Sequence, residues 1–420
     1  MKILFIIPGA GDSFYCGNCF RDNLHASALR KLGHEVIIMP IYLPLKHESL
    51  QTLTPLFFPA TTFYTAQKFF KKRKMPKWLE KVTASPRLLK FAASMSGTTS
   101  AEGMEDMTLS MIIGEDPAFN NYVKQLTEWI KNNEKPDIIH ISSSLLIGIA
   151  KAIRKEMEIP IVCSLQDEEV WIDTLKSNYA KTAWQEISNN IQYIDCFVAS
   201  SQFYKNVALK KFTLIKNIEV VYPGIDINKY ISNDYPSYPT IGFFYRMNRE
   251  NGLDILAEAF VKLKKEEAIP NLKLKIGGGY SGKDKSFLRK VKKILRPYLK
   301  DVEFLHHYST DQHAHFYSTI SLISVPLTFN EGVGLYLCEA FAAGCPAVEP
   351  ATGSFPEIVG ECGILYEHNN AEALSKAIKK LFTEKDCYQK AVNNAKELSK
   401  TRYNELVSGE KLTEIYQKFK

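Results

Sequence analysis

Two carboxylates stand eight positions apart in the stretch Glu331-Gly-Val-Gly-Leu-Tyr-Leu-Cys-Glu339, which runs on through Ala-Phe-Ala-Ala to Gly344-Cys-Pro346. Two glycines, Gly332 and Gly334, sit in what reads as a loop, and small apolar residues follow in what reads as a helix. Glycine lets backbone N–H groups approach a ligand closely. The start of a helix adds unpaired N–H groups and a positive dipole end, which suits a phosphate. An ionised carboxylate beside it accepts hydrogen bonds from hydroxyls strongly. The backbone from Gly332 through Val333 and Gly334 to Leu335 is therefore a candidate cradle for a sugar joined to a phosphate. A blander reading exists: a carboxylate that stabilises a helix start, and a glutamate on the surface.

The flanks decide between them. Val325-Pro326 precedes the pair, and Gly353-Ser-Phe-Pro-Glu357-Ile-Val359 and Gly363-Ile-Leu365 follow it. With these flanks the stretch resembles the paired-glutamate motif of the retaining glycosyltransferases of family 4, which have the GT-B fold. Near the start, an apolar run from Met1 to Ile7, a glycine-bearing loop and then Gly33-His34-Glu35-Val36 resemble the same family. The resemblance implies that Glu331 meets the donor sugar and Glu339 the ribose hydroxyls. It also implies retention of configuration, no required metal, and no cofactor beyond a nucleoside diphosphate sugar as co-substrate. In such a mechanism the leaving phosphate takes the acceptor's proton.

A leaving diphosphate needs positive charge. The family usually supplies an arginine and, five residues later, a lysine before glycine. Here Tyr245-Arg246-Met-Asn-Arg249-Glu-Asn251-Gly252 puts Arg246 at the arginine position and Asn251 where the lysine is expected. Asparagine donates a hydrogen bond but carries no charge, so Arg249 is the candidate to compensate. Without the resemblance, Arg246 is an arginine at a strand end in a surface ion pair.

The loop after the first apolar run, Pro8-Gly9-Ala-Gly11-Asp-Ser-Phe14, lacks the third glycine of a dinucleotide fingerprint, and Met39-Pro40 ends the second run without an acid. Nicotinamide binding is excluded on that ground. The loop resembles instead the family's glycine loop, with Gly17 and Arg21 as the residues to test. Cys16 and Cys19 form a lone Cys-x-x-Cys, open to a metal, a redox or a packing role; zinc would need two further ligands. Asp137-Ile-Ile-His140-Ile-Ser142 and Ser164-Leu-Gln166-Asp167 resemble two further family stretches, with Ser142 and Gln166 where imidazoles are usual. His140, Gln166 and Asp167 are thus acceptor-side candidates, and Trp171 a sugar-stacking face. The other histidines, His306-His307 and His313-x-His315, show no ligand set and read as a loop and a helix face.

The chain has 420 residues, 45% hydrophobic and 24% charged, which suits two ordinary domains of about 200 residues. No apolar run approaches a membrane span, and Ile3–Ile7 is too short for a signal peptide, so a cytoplasmic protein is expected. Eight cysteines do not suggest a disulfide framework. The net charge of +7 is concentrated between Thr65 and Leu89, where Lys71-Lys72-Arg73-Lys74 lies among aromatics such as Phe69-Phe70 and Trp78. Broad affinity for nucleic acid is not indicated. One local element is, suited to an anionic membrane surface with a lipid-linked acceptor, to an acidic acceptor, or to packing on the first domain.

Strand-like and helix-like runs alternate, which predicts parallel sheets covered by helices. Expected strands are Lys2–Ile7, Val36–Met39, Asp137–Ile141, Pro160–Leu165 and, as the last of the first set, Cys196–Ala199. A second set comprises Thr240–Phe244, Leu272–Ile276, Val302–Leu305 and Leu322–Val325. The fold class is α/β: two Rossmann-like doubly wound domains facing a cleft. The expected boundaries are 1–221 for the acceptor side, with an insertion at 52–111, and 222–402 for the donor side. A helix at 403–420 is expected to cross back. The function expected is hexose transfer to a carbohydrate or lipid-linked acceptor. Its rivals are a non-catalytic binding protein on the same fold and a sugar-nucleotide epimerase.

Overall fold

Short runs of branched and apolar residues, bounded by glycine, proline or polar residues, become buried parallel strands here. The computed structural model describes residues 1–8, 17–41, 104–115, 117–212, 214–231, 236–306 and 312–420. Cys16, the Cys19 side chain, the basic aromatic segment and most of the 52–111 insertion lie outside the described residues. The chain forms two units, Met1–Val221 together with Gly409–Lys420, and Tyr222–Ser408.

The first unit runs β1 (Lys2–Ile7), α1 (Gly17–Lys31), β2 (Glu35–Pro40), α2 (Glu105–Ile113), α3 (Pro117–Trp129), β3 (Ile138–Ile141), α4 (Gly148–Glu156) and β4 (Ile161–Leu165). It continues with α5 (Glu168–Ile172), α6 (Ser177–Asn190), β5 (Cys196–Ala199), α7 (Gln202–Lys211) and β6 (Ile218–Val220). All pairings are parallel, in the order β2-β1-β3-β4-β5-β6. Alternate residues of β1 feed opposite cores: Leu4 and Ile6 one, Ile3, Phe5 and Ile7 the other. That two-faced burial is why the strand reads as a continuous apolar run.

The second unit runs β7 (Thr240–Phe244), α8 (Leu253–Lys265), β8 (Lys273–Gly278), α9 (Lys285–Leu295), β9 (Val302–His306), α10 (His313–Ser318), β10 (Leu322–Ile323) and α11 (Leu335–Ala342). Then come β11 (Ala347–Pro350), α12 (Phe355–Val359), β12 (Gly363–Tyr366), α13 (Ala371–Thr383) and α14 (Lys385–Thr401). Its parallel sheet is ordered β12-β11-β10-β7-β8-β9. Read from β9, this is the doubly wound order whose direction reverses between β7 and β10. Ligands bind beyond the strand C-termini at such a reversal. Both sheets have the expected architecture.

The last helix, α15 (Glu405–Gln417), starts in the second unit and ends in the first. Its Leu412, Ile415 and Tyr416 close the core that Ile3, Phe5 and Ile7 begin. The Tyr416 hydroxyl lies 2.5 Å from His140 Nδ1.

Some expectations differ from the structure. Cys196–Ala199 is not the last strand of its sheet, because Ile218–Val220 pairs outside it. That strand is short and half-polar, which hid its period. Between β3 and β4 the chain makes a short 3-10 turn, Ser144–Leu146, and then α4. The end of the 52–111 insertion is part of the first unit's core: α2 buries Met107 and Ile112 there. Among the described residues, no helix is long and apolar enough to cross a membrane.

Tyr416→Phe would leave a buried imidazole nitrogen unpaired, and should cost about 1–3 kcal/mol of stability. Urea unfolding of the full chain, compared with an exposed control such as Tyr238→Phe, measures it.

Candidate functional site

The loop after β7 and the loop before α11 meet at the reversal point of the second sheet. Their backbones are bonded together: the Thr328 N–H and hydroxyl both donate to the Glu250 carbonyl, at 2.9 and 3.0 Å. Gly252 holds φ +69°, and a Cβ there would lie 1.9 Å from the Pro326 carbonyl oxygen, so only glycine allows this approach.

Glu331 projects into this junction and is 4% exposed. Its Oε1 accepts from the backbone N–H groups of Gly334 and Val333, at 3.2 and 3.4 Å, and its Oε2 from the Tyr245 hydroxyl at 3.2 Å. Burial raises its pKa, and the hydrogen bonds oppose that shift. The carboxylate thus sits across the start of α11, using the N–H groups that Gly334 and Val333 leave unpaired there. Behind it, the loop after β11 is clamped by the Ser354 N–H donating to the Glu331 carbonyl at 2.9 Å. A Cβ on Gly353, at φ +60°, would lie 2.7 Å from the Glu331 nitrogen.

Glu339 behaves differently. It has no exposed surface. Tyr230 donates to its Oε1 at 2.7 Å and Tyr317 to its Oε2 at 2.9 Å, while His313 Nδ1 stands 3.1 Å from Oε1. The expectation that Glu339 meets ribose hydroxyls is corrected accordingly: its oxygens are held by its own chain, and a hydroxyl reaches it only by displacing one of these groups. His313, expected on an open helix face, is buried as its partner. Leu335 is buried at the start of α11, and Gly332 and Val333 line the loop beneath Glu331.

Arg246 is half-buried. Its guanidinium donates to Asp284 Oδ2 at 3.1 Å and to the Ser281 hydroxyl at 3.2 Å. Arg249 is exposed, its guanidinium 5.9 Å from the centre of the Phe287 ring. Asn251 is buried, and its amide donates to the Arg246 carbonyl at 2.8 Å. It ties its own loop together rather than standing in for a phosphate-binding cation.

One residue that sequence reasoning missed is Glu349, on β11. It is fully buried, accepts from the Val325 N–H with both oxygens at 3.0 and 3.2 Å, and is pushed well above the usual carboxylate range by burial. Nothing in Ala347-Val-Glu-Pro350 distinguishes a buried acid from a strand-end one. Tyr245 is the second such residue, and its only signal in the sequence is an aromatic beside Arg246.

In the first unit, the acceptor-side candidates gather in one buried polar cluster at the C-terminal ends of β1, β3 and β4. Arg21 donates to Asp22 Oδ1 at 2.8 Å, to the Gln166 side-chain oxygen at 3.0 Å and to the Ser142 carbonyl at 2.7 Å. The Ser142 hydroxyl donates to Asp22. Arg21, expected in the glycine loop's neighbourhood as a residue to test, is a buried strut here, and Gln166 is its partner. His140 is also corrected: it is fully buried, stacks on Phe5, and has Tyr416 on one nitrogen and Ser164, at 2.7 Å, on the other. Asp167 is half-buried, at φ +57° before α5. Gly17 opens α1, but the loop before it lies outside the described residues. Trp171 is pinned to Thr108 by its indole N–H at 3.1 Å and packs, partly buried, on the core.

His25, on α1 beside Arg21, is 1% exposed, and neither ring nitrogen has a hydrogen-bond partner. Burial and the Arg21 charge push its pKa down to about 3. Among the described residues, no group of three or more His, Cys, Asp or Glu side chains is arranged to hold a metal.

Two doubly wound parallel sheets, the second with a buried carboxylate and an arginine at its reversal point, are the architecture of the GT-B glycosyltransferases. A family model described as glycosyl transferases group 1 matches residues 225–398, and one described as glycosyltransferase family 4 matches residues 113–229. The chain belongs to the family 4 glycosyltransferases. It is 22% identical over 304 residues to the putative glycosyltransferase YtcC of Bacillus subtilis, covering 67% of this chain and 72% of that protein. It is 26% identical over 219 residues to the D-inositol 3-phosphate glycosyltransferase of Corynebacterium kroppenstedtii, and spans 48% of that protein's length. In fold it is similar to sucrose-phosphate synthase of Thermosynechococcus elongatus, with a TM-score of 0.71, 16% identity, and 100% and 99% of the two chains covered. The Anabaena HepE structure with UDP and glucose gives 0.69 at 16% identity, covering 99% of each chain.

The His25 shift has a testable sign. Its pKa is depressed from 6.5 to about 3 in the folded chain, so the unfolded chain takes up the proton first. The stability this group supplies is present above pH 6.5 and is lost as pH falls towards 3. A His25→Leu variant should lose less stability than the parent over that interval, measured by urea unfolding at stepped pH.

Proposed function

We propose that this enzyme moves a hexose from a nucleoside diphosphate sugar to an acceptor hydroxyl, with retention of anomeric configuration and without a required metal or other cofactor. The second unit, taken as about 222–402, binds the donor. The first, taken as 1–221 with the final helix, recognises a carbohydrate or lipid-linked acceptor. The observation that carries the reading is Glu331: a buried carboxylate fixed by two backbone N–H groups and a tyrosine beside the start of α11. A carboxylate so placed accepts sugar hydroxyls with little reorganisation, while the helix start faces the diphosphate.

In the reaction, the bond from the anomeric carbon to the phosphate oxygen breaks, and a bond to the acceptor oxygen forms on the same face. The acceptor's proton passes to the leaving phosphate, so no protein base is needed. Arg246 meets the charge that develops on the diphosphate, held for that task by Asp284 and Ser281. Arg249 is the second cation, because Asn251 has neither charge nor a free amide. HepE, solved with UDP and glucose, makes a uridine diphosphate sugar the first donor to try.

One observation favours a second reading. Asn251 is buried and committed to its own loop, which suits a chain that binds a sugar nucleotide without transferring it. Turnover separates the two. Glu331→Ala should lower kcat by about 10²–10³-fold with little change in melting temperature. A thermal-shift panel of nucleoside diphosphates and their sugars, in EDTA, should show one selective upward shift. Transfer that survives the substitution would remove Glu331 from the site. Nucleotide binding with no transfer to any acceptor would favour the second reading.

A further inference from the structure

Helix α9 carries a run of exposed positive charge that the transferase reading does not use. Leu288, Val291 and Leu295 are buried and fix its inner face. The outer face presents Lys285, Arg289 and Lys293 at intervals of four, with Lys290 beside them and Arg296 just beyond, all exposed. None of these five is in an ion pair among the described residues. The surface helices around it differ. On α8 and α13, Lys262 meets Glu266 and Glu372, and Lys376 meets Glu372. A solvated helix face usually mixes signs in that way.

The single sign on α9 has a cost. Like charges four apart repel, and Lys285 in the first turn opposes the helix dipole. Past the helix, Leu299 is 44% exposed, beside the exposed Lys300. Aliphatic surface next to unpaired ammonium and guanidinium groups complements an anionic lipid leaflet: phosphate headgroups for the cations, acyl chains for the leucine. A surface for single-stranded nucleic acid would present exposed aromatic rings for stacking. Here Phe287 lies under Arg249 and Tyr298 under Lys264.

We propose that the outer face of α9, with Leu299, is a docking surface for an anionic phospholipid membrane. This is a surface of the second unit, built from residues other than the basic run between Thr65 and Leu89, and it does not depend on which sugar nucleotide the enzyme uses. The docked enzyme would hold its donor-binding unit at the leaflet.

The test is co-sedimentation of the full chain with phosphatidylcholine vesicles, with and without phosphatidylglycerol. The parent should sediment with the anionic vesicles only, and be released by salt. The combined variant Lys285→Glu, Arg289→Glu, Lys293→Glu should bind them roughly a hundredfold more weakly. Glutamine at the same positions should lie between, and Leu299→Ser should weaken binding by a similar factor at each salt concentration below the one that releases the parent. Melting temperature should change little, since all three side chains are exposed and outside any ion pair among the described residues, and transfer to a soluble acceptor should be unchanged. Unaltered sedimentation of the charge-reversed variant would overturn the proposal. So would a loss seen only when Lys71 and Lys72 are reversed, or tighter binding to a single-stranded oligonucleotide than to anionic vesicles with the same dependence on α9.

Discussion

Burying a carboxylate is expensive unless donors surround it, and the second unit is organised around that requirement. Glu331, Glu339 and Glu349 are all buried within one sheet's reach, and each is met in a different way. Glu331 takes backbone N–H groups at a helix start, Glu339 takes two hydroxyls and an imidazole, and Glu349 takes one strand N–H with both oxygens. The loops that supply these donors must come close together. That is why glycines stand at positions 252 and 353, where a side chain would collide with backbone.

The three solutions leave the acids with different prospects. Glu339 and Glu349 have partners from their own chain and act as internal ties. Glu331 has as many donors as Glu339, but at 3.2 to 3.4 Å they are longer, and it stands where two loops end. It is the one that can exchange a protein contact for a ligand hydroxyl at modest loss. The buried cluster of the first unit follows the same logic with opposite charge: Arg21 is enclosed, and Asp22, Gln166 and a carbonyl are arranged round it.

Much of the architecture was legible because parallel strands buried on both faces leave a strong imprint. Lys2–Ile7 and Thr240–Phe244 were placed to the residue. Ile218–Val220 was not, since three residues with a central glutamate carry no period. The glycine and glutamate pattern lies in loops that the fold brings together at the reversal point of the second sheet, but sequence does not say where a side chain points. Asn251 looked like a changed ligand and is a loop tie; His140 looked like an acceptor contact and is enclosed by Tyr416, which is distant in sequence. Asp22 and Glu349 drew no attention, because an acid's burial depends on neighbours that only the folded chain assembles.

The passage of α15 from one unit to the other governs the order in which this protein can finish folding. The first unit's sheet leaves the ribosome early, but the core face that Ile3, Phe5 and Ile7 begin stays uncovered until Leu412, Ile415 and Tyr416 arrive. All of Tyr222–Ser408 must be made in between. At ordinary elongation rates of about 5–20 residues per second, that is a wait of roughly 10–40 s. For that interval an apolar sheet face stands open, with His140 unpartnered at one nitrogen, and a nascent chain in that condition is a natural client for chaperones.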